Sequence, residues 1–300
     1  MNTITHYFKP TTIQEAVKLF HQYPGKSRYI AGGTKVAAQR DSSVERLIDI
    51  TNCGLNRIVE DDGELRIGAC VTLEALRQSP LLKDFAGGIL PEVAKWTGSV
   101  QLRNSSTIGG NLIAKGDIAL ALMAVDARLL VVQDTEKIVA MPDFNAGDGV
   151  EMEEGALTRE IRLIPLSEFY AEHCGSLLEG ELIEEIRIPS RFRHAKAAAL
   201  HISRTRQDAS IAAIAAAAFM DHGKCQTARI VASPVACGIR RLADAEKLAE
   251  QEPLTQERIA QISAQIAQTA DVIEDVRATA AFRRHILGIY AKRALSRLCE

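Results

Sequence analysis

The chain has 300 residues, a formal net charge of −2, 47% hydrophobic residues and 25% charged residues. That balance suits a folded globular protein long enough for two domains, and it gives no electrostatic case for binding nucleic acid or an anionic membrane surface. Residues 1–10 lack an apolar signal core, and the longest apolar run, 211–220, falls well short of the about 20 residues that span a bilayer, so a cytoplasmic protein without a membrane span is expected.

Taken from the N-terminus, Thr12-Ile13-Gln14-Glu15 reads as a capping box, and Ile13, Ala16, Val17 and Phe20 follow at helical spacing. Pro24-Gly25 ends that helix. Residues 28–30 read as a buried strand running into the glycine loop Ala31-Gly32-Gly33-Thr34, and 47–50 as another strand. Residues 58–60 and 65–67 flank Asp61-Asp62-Gly63, a hairpin turn. Thr72 caps a short helix that stops near Ser79-Pro80, and 81–97 is helical with a break near Gly87-Gly88. A second glycine pair sits inside Gln101-Leu102-Arg103-Asn104-Ser105-Ser106-Thr107-Ile108-Gly109-Gly110-Asn111. Residues 118–127 read as a buried helix and 128–132 as a strand. The polar, acidic, glycine-containing stretch 134–158 reads as a surface loop, with 139–159 an insertion. Residues 182–188 alternate as a strand does, and Pro189 with the basic run after it marks a domain boundary. The alanine-rich run 211–220 is helical by propensity alone. Helices follow at 240–249, 255–269 and 276–298, the last with Phe282, Ile286, Ile289 and Tyr290 as its core-facing stripe.

The chemistry centres on the glycine pairs. Paired glycines let the backbone approach a ligand closely and adopt positive φ. Successive N–H groups in such turns form an anion-binding nest. Two of them, with the Thr34 and Thr107 hydroxyls at their edges, suit a diphosphate, although either pair alone would also make a plain turn. The six cysteines, Cys53, Cys70, Cys174, Cys225, Cys237 and Cys299, form no Cys-x-x-Cys pair and read as free thiols, so no metal site or cluster is expected in this chain. No nucleophile–base pair or carboxylate dyad stands out, and no side chain is assigned a catalytic role. A cofactor would carry the chemistry.

The order of Tyr7-Phe8-Lys9-Pro10, the two glycine loops, Leu47-Ile48-Asp49-Ile50, Leu65-Arg66-Ile67-Gly68-Ala69, residues 180–189 and residues 228–248 resembles the FAD-binding medium subunits of the molybdenum hydroxylases, of xanthine dehydrogenase and carbon monoxide dehydrogenase type. The resemblance runs along nearly the whole chain, and the string 101–111 is its most specific element. It implies an α+β fold with a p-cresol methylhydroxylase-type FAD-binding domain at 1–190, in subdomains of about 1–55 and 56–190, and a smaller C-terminal α/β domain at 195–300. The absence of a Gly-x-Gly-x-x-Gly fingerprint agrees. The resemblance also implies that 211–220 is a strand.

It implies non-covalent FAD, since neither glycine loop holds a His or Cys. The implied contacts are Arg28, Ala31, Gly32, Gly33, Thr34, Lys35, Thr107, Gly109, Gly110, Asn111 and Asp117, with Leu182 and Ile183 at the isoalloxazine edge. Arg28 is equally readable as a surface charge, Lys35 reads more readily as an exposed lysine, Asp117 also reads as the N-cap of the next helix, and Leu182 and Ile183 equally as core. Arg103 and Asn104 would brace the second loop or reach the flavin side, and Leu200 or His201 stands where relatives carry an aromatic residue or Lys near the flavin, a lone His being more often a packed or surface residue. The connection Leu112-Ile113-Ala114-Lys115-Gly116 is shorter than in relatives, which puts the adenosine contacts in question. The function implied is electron transfer. The 2Fe-2S clusters of one partner subunit, fed from a molybdopterin-binding large subunit, would pass electrons to this FAD and on to NAD or another acceptor. The alternatives are a stand-alone FAD oxidoreductase of the same superfamily and a scaffold subunit that has lost FAD.

Overall fold

The computed structural model describes residues 4–39, 41–136, 157–205, 208–235 and 238–300. They form three sheets with helices packed on them, an α+β arrangement. The first sheet is parallel, with His6–Phe8 and Ser27–Ile30 on either side of Arg46–Asp49. The helix Ile13–His21 covers it, burying Ile13, Ala16, Val17 and Phe20. Thr12 Oγ1 accepts from Glu15 N–H at 3.1 Å, as the capping box requires, but Glu15 Oε2 reaches back to Thr11 N–H at 2.9 Å.

The second sheet is antiparallel, in the order Ile58–Asp61, Glu64–Gly68, Leu182–Pro189, Arg128–Glu136, Leu157–Pro165. Its hairpin turns on Asp62 and Gly63, at φ 49° and 72°. Among the helices on it, Ile118–Ala124 buries every residue, which its uninterrupted apolar sequence foreshadows. The expected loop at 134–158 is shortened at both ends, because the two strands run on to Glu136 and begin at Leu157. The rest of it, and most of the expected insertion, lies outside the described residues. In the stretch 81–97, Ala86, Gly87 and Gly88 take left-handed conformations, and the regular helix is only Ile89–Ala94.

The third sheet runs Gly238–Arg241, Lys224–Val235, Ala212–Asp221, Lys196–Ile202, all antiparallel. Its strand Ala212–Asp221 is buried on both faces. Ala213, Ala215 and Ala217 join the core of the second sheet, while Ala212, Ile214, Ala216 and Ala218 join a separate core under the helices Gln256–Thr269 and Ala280–Cys299. Burial on both sides explains a continuous apolar run in a strand.

Three further expectations change. Residues 240 and 241 finish a strand, and the helix is Ala243–Gln251. The last helix starts at Ala280, and its core face centres on Arg283, Leu287, Ala291, Ala294 and Leu298, one position off the expected stripe, of which Ile286 and Tyr290 still pack partly buried against the core while Phe282 is exposed. Cys174 is disulfide-bonded. Cys53, Cys70, Cys225 and Cys299 are free, and burial pushes the Cys53 and Cys225 thiols up to about 11 and Cys70 up to about 12, which makes them poor nucleophiles.

Candidate functional site

The two glycine loops meet. Gly32 packs so closely on the Ser105 carbonyl that a Cβ would stand 2.6 Å from its carbon and nearer still to its oxygen. Ser106 Oγ donates to Thr34 Oγ1 at 3.3 Å. The sequence placed the loops in one site. The structure adds that their backbones touch.

Their donors differ. Among the described residues, no protein oxygen accepts from the backbone N–H groups of Gly32, Gly33, Thr34 or Lys35. Within this row Gly33 holds φ 67°, a left-handed conformation of the kind anion-binding nests use, and Thr34 and Lys35 are exposed. In the second loop, Ile108 N–H donates to Val71 C=O at 2.8 Å and Gly109 N–H to Ala69 C=O at 2.9 Å. Gly110 N–H donates to Thr107 Oγ1, the N-cap of the helix Ile108–Ile113. The donors expected of Gly109 and Gly110 are therefore taken up within the protein. A Cβ at Gly109 would fall 2.9 Å from Ala69 Cβ, so this glycine admits the protein's own backbone.

Asn111 lies on the same helix, and its Oδ1 is buried with no hydrogen-bond partner. The short connection after it is a Schellman turn: Gly116 N–H donates to Asn111 C=O, Lys115 N–H to Leu112 C=O, and Lys115 takes φ 56°. Asp117 follows at the start of the helix Ile118–Ala124, but its side chain makes no cap hydrogen bond, so the N-cap alternative is not realised. Instead Ser210 Oγ donates to Asp117 Oδ2 at 2.8 Å, and His201 Nδ1 lies 3.1 Å from the same Oγ. With the hydroxyl proton given to Asp117, Ser210 accepts from His201, which assigns the ring proton to Nδ1. The His201 ring stacks on Trp96, with centroids 4.1 Å apart and planes 8° apart. Desolvation raises the Asp117 carboxyl against its bond from Ser210, and desolvation lowers His201 against the pull of Asp117. Ser210 and Trp96 carried no sequence signal, because neither lies in a motif.

Arg28 pairs with Asp41 at 3.1 Å, both partly exposed. A cavity of about 150 Å³ opens between this pair and Ile30, Val36 and Ala37, which flank the first loop. Arg103 is a brace: its Nε donates to Glu74 Oε2 at 2.8 Å and its NH1 to Gly98 C=O at 2.8 Å. Its bonds to Arg77, first, and to Arg103 hold the Glu74 carboxyl down at about 2. Leu182 and Ile183 are buried, the first in the core of the parallel sheet and the second in that of the five-stranded sheet. Among the described residues no group of His, Cys, Asp and Glu side chains could hold a metal ion, and no helix is long and apolar enough to cross a membrane.

Comparison with known proteins adds the family. A model of the FAD binding domain in molybdopterin dehydrogenase matches residues 2–191, and one of the CO dehydrogenase flavoprotein C-terminal domain matches residues 197–298. The chain is 27% identical to the 6-hydroxypseudooxynicotine dehydrogenase complex subunit alpha of Paenarthrobacter nicotinovorans, over 97% of this chain and 93% of that protein. It is 28% identical to the carbon monoxide dehydrogenase medium chain of Afipia carboxidovorans, over 97% and 95% of the two. A solved structure of carbon monoxide dehydrogenase from Hydrogenophaga pseudoflava superposes with a TM-score of 0.84 at 25% identity, covering 99% of this chain and 97% of that one.

Proposed function

The chain belongs to the FAD-binding flavoprotein family of the molybdopterin dehydrogenases, and we propose that it is the electron-transfer subunit of such an enzyme, assembled with an iron–sulfur subunit and a molybdopterin-binding large subunit. The FAD supplies the redox step between 2Fe-2S clusters held by a partner subunit and NAD or another acceptor. The residues of this chain bind and orient it. The observation that carries the reading is the row of unpartnered amides from Gly32 to Lys35, which matches the oxygens of a diphosphate. Asn111 Oδ1, a buried acceptor without a donor, matches the hydroxyls of a ribityl chain or ribose. The amide row rests on Ser105, Asn111 lies on the helix that follows that segment, and the chemistry of FAD fits each.

In this reading Ala31, Gly32, Gly33, Thr34 and Lys35 hold the diphosphate, and Arg28 stands at the mouth of the neighbouring cavity. Thr107, Gly109 and Gly110 fix the helix that presents Asn111. Asp117 reaches the adenosine ribose only by sharing its carboxylate with Ser210. Leu182 and Ile183 back the flavin from the core. The test is direct. The purified chain should show a flavin spectrum and release intact FAD on denaturation in trichloroacetic acid, which marks non-covalent attachment. With its partner subunits absent it should oxidise no molybdenum-hydroxylase substrate. Substrate-dependent bleaching of the flavin by this chain alone would overturn the assignment.

A further inference from the structure

We propose that Glu74 is a positioning residue of the FAD site, acting through Arg103 to set where the helix Val100–Ser105 ends and hence where the first glycine loop rests. The inference builds on the FAD reading above and names a residue outside every loop assigned to the cofactor.

Glu74 sits in the first turn of the helix Leu73–Gln78 and is only 5% exposed. Its Oε1 accepts from Arg77 Nε at 2.8 Å and from Gln78 Nε2 at 2.9 Å, and its Oε2 accepts from Arg103 Nε at 2.8 Å. Arg103 in turn closes on the backbone before its own helix, donating to Thr97 C=O at 3.3 Å and Gly98 C=O at 2.8 Å. The helix Leu73–Gln78 grips the same segment a second time, where Leu73 N–H donates to Ser106 C=O at 2.9 Å. Between the two grips lies Ser105, whose carbonyl is the surface on which Gly32 rests. A shift of Arg103 therefore moves the platform under the amide row.

A buried ion pair of this kind adds little net stability relative to an apolar pair of similar volume, because desolvation cancels much of the attraction. What it adds is geometry: a carboxylate accepting from three side chains at fixed angles leaves one register for the segment it holds. That separates a positioning role from a merely stabilising one.

The experiment measures FAD dissociation constants by flavin fluorescence, the visible circular dichroism of the bound flavin, and the thermal midpoint of the FAD-free protein. It compares the wild-type chain with Glu74→Gln, Arg103→Gln and the double variant Glu74→Gln/Arg103→Met. The double variant leaves no unpaired buried charge, so it should fold with a midpoint near that of wild type. All three should bind FAD about tenfold or more weakly and alter the flavin dichroism, and the double variant should bind no worse than the poorer single variant, as coupled residues do. Glu74→Asp, which keeps the charge, should recover part of the affinity. A lowered midpoint with affinity and dichroism unchanged would overturn the proposal, as would losses that simply add. Wild-type protein that takes up no FAD would remove the FAD reading itself, and the proposal with it; uptake by wild type that the variants match overturns the role of Glu74 alone.

Discussion

Replacing Gly32 by alanine puts one methyl group into the contact between the two loops. The added Cβ would lie 2.6 Å from the Ser105 carbonyl carbon, where ordinary contact begins at 3.4 Å, and the oxygen lies closer still. The obstacle is backbone on both sides, so no side-chain rotation relieves it. Clearing the carbon alone takes about 0.8 Å and the nearer oxygen demands more, so the loops must part far enough to stretch the 3.3 Å bond from Ser106 to Thr34. Overpacking of this kind costs about 3 kcal/mol, the upper part of its usual range. For a protein of this size that is a fall of roughly 5–10 °C in the thermal midpoint. Gly33→Ala should cost less, about 1–2 kcal/mol for φ 67°, since its Cβ meets only the movable end of Ile30 at 3.2 Å. Gly110→Ala should be close to neutral, because it meets only Thr107 Oγ1 at 3.1 Å and gains helix propensity. Differential scanning fluorimetry on FAD-free protein, with flavin content by absorbance at reconstitution, gives both readouts. A Gly32→Ala protein as stable and as yellow as Gly110→Ala would refute the reasoning.

Asp117→Asn separates folding from cofactor binding: burial raises the carboxyl above its ordinary 3.8, so its contribution to stability is present below pH 3.8 and lost as pH rises through the raised value. The amide should therefore make the FAD-free protein more stable than wild type at pH 7 while weakening FAD retention, and denaturation curves at acid and neutral pH would expose a failure of either part. His201 has the opposite sign: burial lowers it below 6.5, so its contribution is full above pH 6.5 and is lost as pH falls through the lowered value. His201→Gln should flatten that limb of the stability profile, and an unchanged acid limb would count against a neutral His201. Arg283 is fully buried, donating to Ile211 C=O at 2.7 Å and to Asp275 Oδ1 at 2.5 Å. Arg283→Met should cost about 3 kcal/mol, the low end for a broken buried pair because Asp275 keeps Arg277 as a partner; adding Asp275→Asn breaks that second pair and should restore none of it, and urea denaturation of both variants measures this.

Features set by neighbours in sequence were legible without coordinates. Thr12 and Thr72 cap helices because a hydroxyl at that position meets an amide three residues on. The Asp62-Gly63 turn and the Ile118–Ala124 core helix are likewise local. What stayed hidden depends on partners distant in sequence. The strand Ala212–Asp221 contradicts alanine's helix propensity because a sheet pressed between two cores needs small side chains on both faces. Arg283 faces the core, against any periodicity argument, because Asp275 and the Ile211 carbonyl wait there. Ser210 and Glu74 matter only through residues that the fold brings to them. The glycines mark the boundary between the two kinds of feature. A missing Cβ can make room for a ligand or for the protein's own chain, and sequence cannot tell which. Gly32 and Gly109 leave room for Ser105 and Ala69, so their first duty is to bring protein segments together. That contact brings the row of amides from Gly32 to Lys35 against the segment that leads, through Ser106 and Thr107, into the helix carrying Asn111.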